Sequence, residues 1–162
     1  MKRSASRLRG DPVVVAHLNE YLSYELTGHR QYLIHAGMCR HWGFERLAKL
    51  QDAYWAEEVQ HAAKIIARIL MLGGAATPRE LRPIAGAASV PEQLALDRTL
   101  VMQAMVHLQG AIADCERLAD YVSRDLLVEM RDDEERHLDW LDIELALIEK
   151  LGPKNYLQSQ LG

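Results

Sequence analysis

The sequence predicts an all-α fold, a four-helix bundle with one long crossover between its second and third helices and a short fifth helix near the C-terminal end. Apolar residues recur at three- and four-residue steps through long stretches free of interior proline and glycine, and no stretch alternates with the period of a strand. Proline and glycine mark the breaks after the first, second and fourth segments, whereas the junction between the third and fourth carries neither.

Asp11-Pro12 opens the first helix: the aspartate can accept from exposed amides and the fixed φ of proline suits a first turn, so this helix is expected over 12–41. Gly43 breaks it, and the second helix runs to about residue 72, where Gly73-Gly74 allows a left-handed C-cap. A segment holding Pro78, Pro83 and Gly86 follows without periodicity. Ser89 and Glu92 form a capping box around Pro91, which starts the third helix near residue 90. Asp120 is read as the N-cap of the fourth, which continues to 151; Gly152-Pro153 stops it, and 155–161 can make one short final helix. Rods of about 30 residues are roughly 45 Å long and pack side by side. Tight turns make the first two helices antiparallel, and likewise the last two, so the glycine- and proline-bearing segment must run the length of the bundle.

At 162 residues and 49% hydrophobic, the chain suffices for one domain burying about two-thirds of its unfolded surface, expected over 11–162 behind a basic extension at 1–10. The two cysteines, Cys39 and Cys115, form no CxxC pair, so they build neither a zinc knuckle nor an iron–sulfur site, and free thiols fit a reducing cytoplasm. The apolar run at 13–16 is too short for a signal-peptide core or a membrane span, so a soluble, unexported protein with no membrane partner is expected. A net charge of −4 argues against nucleic acid as the main partner, although the basic first residues make a local arm.

The chemistry lies on the core stripes. The first helix carries Leu18, Leu22, Glu25, His29, Tyr32 and Ala36 on one face; the second carries Leu47, Tyr54, Glu58, His61, Ile65 and Leu72. The fourth gives Leu127, Met130, Glu134, His137, Leu141, Leu145 and Ile148. In antiparallel rods of equal length the helix centres share one level, so Glu25, Glu58, His61, Glu134 and His137 should converge. Unpaired core carboxylates cost several kcal/mol each, and a bound cation would compensate them. Glu-x-x-His puts a carboxylate and an imidazole on one helix face, and two such motifs facing each other suit a di-metal centre; oxygen and imidazole donors fit iron, manganese or zinc, with iron favoured. Glu57, Asp133 and Glu135 fall off the stripes and are read as solvated. His17, His35, His41 and His107 lack a partner at metal spacing and are read as surface or packing residues. On the third helix the stripe is Leu94, Asp97, Val101, Ala104, Leu108 and Ala111, so Val101 is the residue expected to face the centre.

The runs ELTGHRQYLIHAGMCRHWG from Glu25, ADYVSRD, DDEERHLDWL around Glu134 and His137, and NYLQSQ near the C-terminus resemble bacterioferritin, over about residues 10–160. The resemblance implies a ferritin-like fold and a cytoplasmic 24-mer cage in which Fe(II) is oxidised at an intrasubunit di-iron (ferroxidase) centre and stored as ferric mineral. It implies Glu25 and His61 as terminal ligands of one iron, Glu58 and Glu134 as bridges and His137 as terminal ligand of the other. Tyr32 matches the tyrosine beside that centre, able to donate an electron or a hydrogen bond. Two positions depart from the family: Val59 stands where a methionine binds haem b, and Val101 stands where a glutamate holds the second iron. The expectation is therefore an iron-storage subunit with a weakened second site, forming a homo-oligomer or a mixed cage with a second subunit, and a ferredoxin-type partner for iron release. The alternatives are a structural, non-ferroxidase cage subunit, a di-iron redox enzyme of the rubrerythrin or oxidase kind, and a DNA-protecting relative. The absence of CxxC pairs and the in-subunit ligand pattern argue against the last two.

Overall fold

The structure is a computed structural model whose described residues are 9–84 and 86–162; residues 1–8 of the expected basic extension lie outside them. Among the described residues five helices follow in order: α1 Pro12–His41, α2 Glu45–Met71, α3 Val90–Arg117, α4 Tyr121–Leu151 and α5 Pro153–Gln158. Among the described residues no helix is long and apolar enough to cross a membrane.

The caps follow the sequence. The Asp11 carboxylate accepts from the amide of Val13, Ser89 Oγ from that of Glu92, and Asp120 from that of Ser123, each satisfying an amide the helix leaves free. Gly43 turns the chain at φ 86°, a conformation that favours glycine. The last helix starts two residues earlier than expected and ends three earlier. Gly152 at φ 76° lets Pro153 take the first helical position at once, and beyond Gln158 the backbone turns so that the Gln160 carbonyl accepts from the amide of Arg46.

Lateral pairs fix the topology. Arg40 meets Asp52, and Glu25 meets His61, so α1 and α2 run antiparallel. Arg124 meets Glu116, and Arg98 meets Asp142, so α3 and α4 do too. His17 with Asp114 and Gln31 with Asp97 set α1 against α3 in the same sense. α2 and α3 are therefore parallel, and only a connection travelling the bundle's length can join them. That connection is pinned to a polar stripe on α1: Asn19 bonds the carbonyl of Ala75 and the amide of Thr77, Ser23 bonds the carbonyl of Arg79, and Thr27 accepts from the amide of Arg82. Arg82 also lies 3.5 Å over the Tyr24 ring and pairs with Glu20.

Two apolar clusters fill the bundle. One joins Leu18, Leu22, Ile65, Ile69, Leu108 and Leu127; the other joins Leu47, Leu94, Val101, Leu141 and Tyr156. Between them lies a layer of buried polar side chains. Burying such groups is costly unless they are paired with one another or with a ligand.

Candidate metal centre

Glu25, Glu58, His61, Glu134 and His137 are all buried, each at 7% exposure or less, at mid-height of α1, α2 and α4. Periodicity placed them there: each occupies the core stripe of its helix, between apolar residues that pack above and below. Ligand atoms of Glu25, Glu58 and His61 lie within 4.8 Å of one another, and His61 Nδ1 is 3.3 Å from Glu25 Oε2. Glu134 accepts a 3.2 Å hydrogen bond from the Tyr21 hydroxyl. His137 is held differently: its ring stacks on Tyr54, centroids 3.5 Å apart, and Tyr32 is 5.4 Å from it. His29, expected on the same buried face, is only half-buried and packs beside Trp55.

The electrostatics are those of acids crowded together in a core. Burial, and then the charge of Glu25, push Glu58 well above the ordinary carboxylate range. Glu134 is raised to about 8 by burial and then by Glu25, against the opposing pull of the Tyr21 hydrogen bond and of His61. Burial works against a charged His61, but the Glu25 carboxylate beside Nδ1 and then Asp133 at Nε2 outweigh it and raise it to about 9. His137 is lowered to about 4 by burial, which Asp97 opposes only in part. Both carboxylate oxygens of Glu25, Nδ1 of His61 and Nε2 of His137 are buried without a hydrogen-bond partner among the described residues. Hard oxygen and imidazole donors left unpaired in a core fit a divalent metal.

The second half of the expected pair is less complete. Val101, 1% exposed, lines a small cavity with Gly28, Tyr32, Glu58, Leu100 and Glu134. Asp97, one turn away and fully buried, is committed elsewhere. Its carboxylate accepts from Gln31 at 2.7 Å and Gln51 at 2.9 Å, and His35 Nδ1 is 2.9 Å from it. His35, expected as a surface or packing residue, packs in the core against that carboxylate from a different helix. Asp133, expected to be solvated, differs. Its side chain is 15% exposed and its Oδ2 lies 2.9 Å from His61 Nε2, while Glu135 is exposed as expected. Standing just off the stripe, Asp133 reaches sideways to α2, which the Asp133-Glu134 dipeptide gave no means of telling from a solvated pair. Glu57, also read as solvated, is half-buried and forms with His61 and Asp133 another group of metal-capable atoms.

With this geometry in place, comparison with known proteins is informative. The ferritin-like domain family matches residues 15–151. A bacterial ferritin of Synechocystis sp. is 41% identical over 95% of this chain and 99% of its own length. A bacterial ferritin of Pseudomonas aeruginosa is 42% identical over 95% of this chain and all of its own. A bacterioferritin of Brucella melitensis is 34% identical over 93% of this chain and 94% of its own. Helix order, crossover and full-length similarity agree: the chain belongs to the ferritin-like family, among the bacterial ferritins and bacterioferritins.

Proposed function

We propose that this chain is an iron-storage cage subunit that takes Fe(II) as substrate at the Glu25–Glu58–His61–Glu134–His137 cluster and promotes its oxidation to Fe(III) for storage, with O2 or H2O2 as the electron acceptor. The observation that carries the reading is the convergence of three buried ligand donors, Glu25, Glu58 and His61, with neither Glu25 oxygen hydrogen-bonded among the described residues. A core carboxylate left so would cost several kcal/mol, and a cation offsets that cost. Glu25 and His61 hold one Fe(II), Glu58 and Glu134 reach toward both positions, and His137 serves the second. Tyr32, fully buried and with its hydroxyl kept protonated by burial and then by Glu58, stands beside the pair as a hydrogen-bond or electron donor. Similarity to bacterial ferritins along the chain supports a closed 24-mer cage, and a ferredoxin-type donor is the partner class suited to reducing stored ferric iron.

Val101 favours a specific refinement: the position served by His137 lacks a terminal carboxylate, so the Glu25/His61 position fills first and oxidation by this chain alone is slow. Val59, 41% exposed on α2, offers no lone pair, so this chain does not fit axial haem ligation at that position. Both valines also support a mixed cage in which a second subunit carries the complete donor set. Sedimentation of the purified chain is expected to give a cage-sized particle. Crystals soaked in Fe(II) without oxygen should show unequal anomalous peaks at the two positions, and stopped-flow mixing with oxygen should be slow. A monomer or dimer at all concentrations, or no metal at Glu25/His61, sinks the reading.

A further inference from the structure

A metal-binding imidazole has two nitrogens with different jobs. One must present a lone pair; the other carries a proton, and whatever accepts that proton sets the tautomer and the ring's orientation. At His61 the two sides are distinct. Nδ1 faces Glu25 Oε2 at 3.3 Å and has no hydrogen-bond partner, while Nε2, across the ring, lies 2.9 Å from Asp133 Oδ2. Asp133 is itself held: its other oxygen, Oδ1, pairs with the guanidinium of Arg136 one turn along α4. Glu57, on α2 one turn before His61, stands on the same side as Asp133. The layout is a relay of contacts, Arg136 to Asp133 to His61, that ends with one imidazole nitrogen free and turned toward Glu25.

We propose that Asp133 is a positioning residue for the first metal position: its carboxylate accepts a hydrogen bond from His61 Nε2–H and fixes the ring so that Nδ1 is presented beside Glu25. The inference rests on the metal-binding reading above and adds a residue that does not itself touch the metal. Asparagine at 133 keeps the shape but can turn an amide NH toward Nε2, which favours the tautomer with its proton on Nδ1, the wrong one for binding. Alanine removes the restraint altogether. Because Asp133 touches His61 and not His137, the effect is confined to one of the two positions. A purely structural role for Asp133 would weaken the whole protein and both positions together.

The test uses the assembled, metal-free protein and Co(II) as probe. Wild type, Asp133→Asn and Asp133→Ala are titrated by visible absorption, crystallised with and without Co(II), and compared in thermal stability. The expected result is a loss of affinity of about 10- to 100-fold at the Glu25/His61 position in both variants. The Glu134/His137 position should keep its occupancy, and the His61 ring should be turned or spread over orientations in the metal-free Asp133→Ala crystal. Asp133→Glu, which restores a carboxylate, should recover part of the loss. Unchanged affinity with an unmoved His61 ring overturns the inference while leaving metal binding intact. So does an anomalous peak between Glu57 and Asp133, which would make Asp133 a ligand. If the wild type takes no Co(II) at Glu25/His61, the metal-binding reading itself fails and this inference falls with it.

Discussion

Replacing Val101 by glutamate tests the placement of α3 against the carboxylate cluster most directly, because the same change should harm the metal-free protein and help the metal-bound one. Val101 is 1% exposed and shares its cavity with Glu58 and Glu134. A glutamate there joins carboxyls that burial and Glu25 already push upward. Its own carboxyl should rise by about two to three pH units, which at about 1.4 kcal/mol per unit costs roughly 3–4 kcal/mol at pH 7.5. In a protein of this size each kcal/mol moves Tm by about 2–4 °C, so a fall of about 6–16 °C is expected. The sign follows from linkage. A folded-state value raised above the unfolded one leaves full stability below the unfolded value and loses it on the way to the folded one, so most of the deficit should vanish at pH 4.5.

Divalent metal reverses the penalty. A second position with its own carboxylate should bind more tightly, and a ligand at about 1,000 times its Kd adds roughly 4 kcal/mol. Calorimetry of wild type and Val101→Glu, each with and without Co(II), supplies the four Tm values needed, and stopped-flow oxidation of Fe(II) should be faster in the variant. If Val101→Glu has the wild-type Tm without metal at pH 7.5 and gains no more from metal than the wild type does, Val101 does not face the cluster and the argument for an incomplete second position collapses.

Other perturbations probe the rest of the molecule. Metal-free stability should fall between pH 6.5 and 9: Glu134, raised to about 8, and His61, raised to about 9, each give stability that is full below the unfolded value and gone above the folded one. His137, lowered to about 4, loses its contribution only as pH falls from 6.5, so a calorimetric profile flat from 6.5 to 9 contradicts these assignments. Asp97→Asn puts an amide donor among the donors of Gln31 and Gln51, beside His35, and should cost about 2–4 kcal/mol in denaturant titration, whereas a change below about 0.5 kcal/mol would mean that the carboxylate is not held as described. Ala119 sits at φ 57° in the α3–α4 turn, where the amide of Asp120 bonds the Cys115 carbonyl and that of Ala119 bonds the Glu116 carbonyl, a cap that favours glycine. Ala119→Gly should therefore raise stability by up to about 1 kcal/mol, and a loss would show that the left-handed strain is absent.

What was legible in the sequence, and what was not, divides along one physical line. Periodicity reports which face of a helix is inward, because apolar residues must bury a contiguous stripe whatever they touch. That is why the ligand level and the inward direction of Val101 could be read from Leu22, Glu25 and Tyr32 on one rod and Leu94, Val101 and Leu108 on another, while Asp11, Gly43, Gly73 and Ser89 marked helix ends and with them the crossover. It does not report which polar residue meets which, since a hydrogen bond across helices leaves no mark at fixed spacing. α1 is the clearest case. Asn19, Ser23, Thr27, Gln31, His35 and Cys39 recur every four residues and form a second, polar stripe, buried along its whole length. Its first three members hold the crossover, while Gln31 and His35 face Asp97 and Cys39 bonds Gln93 on α3. In sequence such a stripe looks like a solvated face. A regular row of small or amide side chains that lacks Lys, Arg and Glu is nevertheless a poor solvated face, and here that composition carried the missing signal. The same logic explains Asp133. A carboxylate beside a ligand, at the edge of the stripe, is free to point to water or across to the neighbouring helix, and only the neighbour's His61 decides which. The bundle and most of its metal-capable residues thus follow from each helix taken alone, whereas the contacts that orient those residues exist only between helices.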